Sequence, residues 1–96
     1  MAGYVIGQLS GINDADAFNA CQGAAIPTVA QYGGKLVVNS MKVDSGDGGW
    51  APSGIVMLEF QSVDQARKWY NSPEYQAVIG QRFISADSAV IIVDGD

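Results

Sequence analysis

Two short runs restrict the folds open to this chain of 96 residues more than anything else in it: IVMLEFQ at residues 55–61 and SAVIIVDG at residues 88–95. Each has the length and the β-branched, aromatic character of a strand, and Gly, Pro, Ser or Asp residues lie close by. Successive side chains of a strand point to opposite faces. Val56, Leu58 and Phe60 therefore face one way and Ile55, Met57 and Glu59 the other, while Val90, Ile91, Ile92 and Val93 follow one another without a polar break. A sheet made of such strands is apolar on both sides, and each side needs a cover.

The rest of the chain supplies cover for one side. GYVIGQLS (residues 3–10) reads as a first strand. Asn13 is placed to cap a helix, with Asp14 and Asp16 in a first turn where negative charge suits the dipole. Phe18, Cys21, Ala25, Thr28 or Val29, and Tyr32 recur at helical spacing and form one buried stripe. Pro27 lies within it and predicts a kink, and Gly33-Gly34 predicts a left-handed stop. KLVVNSMKV (35–43) reads as a second strand, and DSGDGGWAPSG as a loop. After the third strand, Ser62 and Gln65 have the spacing of a capping box, which opens a helix with Val63, Ala66, Trp69 and Tyr70 on its apolar face.

WYNSPEYQAV (69–78) then breaks that helix in two. The residue before a proline is disfavoured in the helical region, so the helix ends near Asn71, where a left-handed turn is tolerated. Ser72 caps the next helix, Pro73 takes its first position and Glu74 meets the positive end of its dipole. The element order is thus β-α-β-β-α-β, the ferredoxin-like α+β arrangement: a single domain over residues 1–96, with a four-stranded antiparallel sheet and helices on one face. Its second apolar face predicts a homodimer packed sheet to sheet about a two-fold axis.

Composition narrows the function. The net charge is −5, from ten acidic and five basic residues, which leaves no cationic surface for nucleic acid or anionic lipid. No run approaches the roughly 18 apolar residues of a membrane span, and the opening MAGYVIGQLSG has no basic segment, so the reading is a soluble cytoplasmic protein. One cysteine and no histidine argue against a transition-metal site, and the loop DSGDGG lacks the ligand pattern of a calcium loop. No P-loop or GxGxxG fingerprint is present, and no cofactor is expected.

GYVIGQL, the proline of AIPTVAQYGGKLVV, LEFQSVDQARKWYNSPEYQAV and the closing VIIVDG together resemble the bacterial family called domain of unknown function thirteen-thirty. The resemblance covers nearly the whole chain. It implies membership of the dimeric α/β-barrel superfamily, in which two ferredoxin-like sheets face each other around a cavity. Distant relatives of similar shape include cofactor-free monooxygenases and small-molecule-degrading enzymes, which implies a catalytic cavity by analogy alone. Where the family commonly shows an arginine followed by glycines in strand two, this chain has Asn39 and Ser40. If that arginine binds an anion in the family, the group is missing here.

Glu59 is the candidate acid or base, because it interrupts an apolar strand and faces away from the helices, where burial raises a carboxyl pKa. The structural alternative is an ion pair with Lys or Arg. Tyr4, Gln8 and Asn39 are expected on that same face as ligand-orienting groups. Trp50, on its Gly-rich loop, is either a lid or an interface residue, and Arg82 either reaches an acidic ligand or pairs with an exposed carboxylate. The functional expectation is a homodimer that binds a small, largely apolar metabolite in a cavity on the sheet face, with cofactor-free catalysis as its catalytic form. The alternative is a non-catalytic dimeric binding or assembly module.

Overall fold

The computed structural model describes residues 2–95, which form β1 (Gly3–Ile12), α1 (Ala15–Gln31), β2 (Lys35–Ser40), β3 (Gly54–Phe60), α2 (Val63–Tyr70), α3 (Pro73–Ser85) and β4 (Ala86–Asp94). The strands make one antiparallel sheet in the order β2-β3-β1-β4. Val5 and Leu58 from the sheet share one buried cluster with Val29 of α1, Ala66 and Trp69 of α2, and Tyr75 and Ile79 of α3. All three helices therefore cover the same face, and the ferredoxin-like order is the observed one. No helix among the described residues is long and apolar enough to cross a membrane.

Local chemistry explains where the elements begin and end. The cap of α1 is Asp14, one residue later than Asn13, and its Oδ1 accepts from the Ala17 N–H at 3.1 Å. Asn13 instead donates its backbone N–H to the Ser85 carbonyl at 2.7 Å, which ties the start of α1 to the end of α3. The helix is a single element through Pro27. It stops where Gly33, at φ 78°, donates to the Ala30 carbonyl and Gly34 to that of Val29. Gly34 also leaves room for the core, since a Cβ there would lie 2.5 Å from the Phe60 ring.

Only half of the expected capping box forms at α2. Ser62 Oγ accepts from the Gln65 N–H, but the Gln65 side chain reaches across to the Tyr32 carbonyl at 2.7 Å and so joins α2 to the end of α1. At the corner, Asn71 has φ −89° and ψ 3° and is not left-handed, because the Ser72 cap already provides the change of direction. Ser72 is buried; its hydroxyl donates to the Trp69 carbonyl at 2.7 Å and accepts from the Tyr75 N–H at 3.1 Å. Replacing it with alanine removes both bonds, so Ser72→Ala is expected to lower stability by about 1–2 kcal/mol, measurable by urea denaturation.

β2 departs most from its expected form. It ends at Ser40, three residues early, where the Ser40 hydroxyl accepts from the Lys42 N–H and bends the chain away. Its register also slips: Leu36 pairs with Leu58, but Val38 pairs with Met57, leaving Val37 as an extra residue. Such a bulge reverses the facing of every residue beyond it. Asn39 consequently lies opposite Val56, on the helix side of the sheet.

The uncovered face carries a continuous apolar row, Val38–Met57–Ile6–Ile91, each residue the cross-strand partner of the next. Glu59, Tyr4 and Val93 form a second row, and Ile55, Gln8 and Ala89 a third. Ile91 is 56% exposed and Val93 37%.

Candidate functional site

The space that stands out in this fold lies between the sheet and the helices. It is a cavity of about 100 Å³. Its floor is β1 between its two neighbours, where Gly7 is the partner of both Val56 and Val90. A Cβ at Gly7 would stand 3.8 Å from the Val56 and Val90 side chains, so the missing side chain is what opens the floor. Phe18, Ala25 and Ile26 of α1 and Trp69 and Tyr75 from the helix corner complete mostly apolar walls. Small residues at 7 and 25 stand where larger ones would close the space.

A few polar groups enter this apolar lining. Tyr75 and Arg82 are seven residues apart, two turns of α3, and share one stripe of the helix. Arg82 Nη1 donates to the Tyr75 hydroxyl oxygen at 3.2 Å, and its guanidinium lies 4.9 Å from the centroid of the Phe83 ring. Arg82 Nε is buried and has no hydrogen-bond partner. The same is true of the Ser88 hydroxyl, which β4 brings to the lining on the inward set it forms with Val90 and Ile92. Buried polar atoms in folded proteins are nearly always satisfied, and these two exceptions belong to residues that line one cavity. Cys21 Sγ donates to the Val78 carbonyl at 3.7 Å.

Electrostatics fix the protonation of the lining. Burial pushes the Tyr75 phenol up, against the opposing effect of Arg82, and burial likewise pushes up the Cys21 thiol. Both are protonated at neutral pH, and no Asp or Glu lines the cavity. The lining therefore donates hydrogen bonds and carries positive charge, with no anionic base.

The residues singled out in the sequence are divided by the sheet. Arg82 and Asn39 line the cavity, and Gln8 borders it along β1. Asn39 does not join Gln8 and Tyr4, because the bulge at Val37 turns it to the opposite face. The Gln8 side chain is held on the uncovered side, accepting from the Trp50 indole N–H and donating to Ser10 Oγ at 3.0 Å. Trp50, 61% exposed, is thus folded toward the uncovered face and away from the cavity.

Glu59 and Tyr4 are cross-strand partners on that same uncovered face. Glu59 pairs with Lys35 at 3.6 Å, the ion-pair alternative, beside a shallow surface depression of about 390 Å³ formed with Gly33, Phe60 and Gln61. That depression is larger, but its charged groups satisfy each other and its walls are open. Sequence reasoning missed Gly7, Tyr75 and Ser88 as residues of the cavity lining. Their signal was positional: Gly7 and Ser88 occupy inward places on their strands, and Tyr75 precedes Arg82 by two helical turns.

The architecture recurs in solved proteins of low identity. RPA0582, a protein of unknown function from Rhodopseudomonas palustris, is 18% identical, with a TM-score of 0.74 over 99% of this chain and 82% of that one. SnoaB, a cofactor-independent oxygenase from Streptomyces nogalater, is 9% identical, with a TM-score of 0.72 over 99% and 93%. A dimeric ferredoxin-like protein of unknown function from Thermobifida fusca is 16% identical, with a TM-score of 0.62 over 98% and 91%. At these identities the likeness is one of fold. No curated protein sequence matches the chain. The family described as a domain of unknown function (DUF1330) matches residues 2–96, and the chain belongs to that family.

Proposed function

We propose that this protein is a homodimer that binds one small, largely apolar molecule per protomer in the cavity between sheet and helices. The observation that carries the reading is an otherwise apolar cavity whose lining includes Arg82, bonded to the Tyr75 hydroxyl, and Ser88, two residues that each hold a buried polar atom without a partner. A purely structural core gains nothing from burying unsatisfied donors, and a ligand that accepts from them removes the penalty. This favours a binding protein over an assembly module with a packed interior.

The dimer uses the uncovered face, where the row Val38–Met57–Ile6–Ile91 needs a partner surface. A dimeric neighbour of the same fold supports the two-chain assembly. Glu59, Tyr4 and Trp50 belong to that interface in this reading, and the ligand contacts are Arg82, Tyr75, Ser88 and Asn39. The cofactor-independent oxygenase of the same fold supports chemistry on a bound organic molecule. The protonated Tyr75 suits holding and polarising an oxygen atom, and not proton abstraction.

The test is a thermal-shift series with alcohols, amides and acids of four to eight carbons on the wild type and on Gly7→Val, whose methyl groups occupy the floor between Val56 and Val90. At least one compound is expected to raise the wild-type Tm, by an amount equivalent to ~2.7 kcal/mol at a hundredfold excess over Kd. Gly7→Val is expected to fold and to lose the shift. A flat response across the series, or equal shifts in both proteins, contradicts the assignment.

A further inference from the structure

We infer that the preferred ligand carries a carboxylate, held by Arg82, Tyr75 and Ser88 inside the cavity. The inference rests on the binding role proposed for that cavity and adds the chemical class of the ligand. The positive charge of Arg82 is uncompensated. Of the protein's five basic residues, Lys35 pairs with Glu59 at 3.6 Å and Arg67 with Asp64 at 3.5 Å, Lys42 and Lys68 are exposed to water, and Arg82 is partly buried with no carboxylate partner among the described residues. Leaving a partly buried cation unpaired is costly in a protein whose net charge is −5 and which has acidic side chains to spare.

The geometry of the donors also fits. Arg82 Nη1 is committed to the Tyr75 oxygen, so the phenol keeps its own hydrogen free to donate. Arg82 Nε has no acceptor, and neither does the Ser88 hydroxyl have a partner. The Arg82 guanidinium, bonded to the Tyr75 hydroxyl, and Ser88 therefore belong to the lining of a cavity whose remaining walls are mainly apolar. A carboxylate offers two oxygens with about four acceptor sites and a single negative charge, which matches the one guanidinium. A phosphate dianion would carry a second charge with no cation to meet it.

Size sets the apolar part. A benzene molecule occupies an engineered apolar cavity of roughly 150 Å³, and the space here is about 100 Å³. The cavity therefore encloses the head group and first carbons of a short branched acid of about four to six carbons, and the rest of the chain extends beyond it. A longer chain would leave past Asn39, which is exposed at the β2 edge of the lining.

The test compares isovalerate with its uncharged isostere isovaleramide, by isothermal titration calorimetry on the wild type, Arg82→Gln, Arg82→Lys and Gly7→Val, each checked for folding by circular dichroism. Isovalerate should bind the wild type at least about tenfold more tightly than the amide, the usual worth of a hydrogen bond to a charged group. Arg82→Gln should erase that preference and leave amide affinity within about twofold, while Arg82→Lys, which keeps the charge without the fork, should retain part of it. Equal wild-type affinities for acid and amide, or a preference that survives Arg82→Gln, overturns the inference and leaves the cavity reading standing. Failure of both compounds to bind, with no difference between wild type and Gly7→Val, removes the cavity reading and this inference together.

Discussion

Trp69→Ala is expected to destabilise the protein by about 3–5 kcal/mol, the range for emptying a large aromatic site in a core. Trp69 is 3% exposed and sits where three helices meet the sheet. Its ring centroid lies 4.2 Å from that of Tyr75 and 5.6 Å from that of Phe60. Its indole N–H donates to the Thr28 hydroxyl at 2.9 Å, and that hydroxyl donates in turn to the Ala25 carbonyl. The truncation thus loosens α1, α2 and α3 from one another and from β3. Domains of this size have only about 5–15 kcal/mol of stability in total, and 1 kcal/mol moves Tm by roughly 4–8 °C, so a fall of roughly 12 °C or more should follow. Trp69→Phe keeps most of the packing and loses the hydrogen bond, and about 1–2 kcal/mol is expected for it. Urea melts at one fixed protein concentration separate the two effects, since the proposed dimer would make stability depend on concentration.

The second large effect concerns assembly. Ile91 ends the apolar row on the uncovered face and is more than half exposed in a single chain. Ile91→Asp therefore costs the protomer little. In a sheet-to-sheet dimer it places an unpaired carboxylate in a desolvated surface, a cost of several kcal/mol, and a weakening of the dimer by roughly a hundredfold or more follows from about 3 kcal/mol. Light scattering at micromolar concentration should give twice the mass of one chain for the wild type and the mass of one chain for Ile91→Asp, with an unchanged circular dichroism spectrum. A monomeric wild type, or a dimeric Ile91→Asp, would contradict the proposed interface.

The fold was largely legible because its signals are local. Alternation in residues 55–61 and 88–95, the Gly-Gly stop at 33–34 and the Ser72-Pro73 corner each act over a few residues and correspond to observed elements. Errors of detail arose where two residues, or two acceptors, of similar chemistry lay within reach of one position. Asp14 caps α1 in place of Asn13, and Gln65 finds the Tyr32 carbonyl before it finds Ser62.

The site was less legible, for two physical reasons. One is the bulge at Val37: strict alternation puts Asn39 with Gln8, and a single inserted residue puts it on the other side of the sheet. No glycine or proline in KLVVNS announces it. The other is that a cavity is made by what is missing, here a side chain at Gly7 and bulk at Ala25, and reading for reactive groups passes over both. Glu59 drew attention as a carboxylate in an apolar strand, yet Lys35, its cross-strand partner, answers its charge. Arg82 followed the opposite course: its place two turns after Tyr75 put it on an inward stripe with no acid to meet it.

The location of the site is tested most directly by a nitrogen-15 NMR titration of the wild-type protein with the tightest-binding compound of the four-to-eight-carbon series. The account predicts saturable shifts concentrated at Gly7, Cys21, Arg82, Ser88 and Val90, and none of comparable size at Tyr4, Met57, Glu59 or Ile91. Saturable shifts centred on Tyr4 and Glu59 would put the ligand between the two sheets and contradict the account.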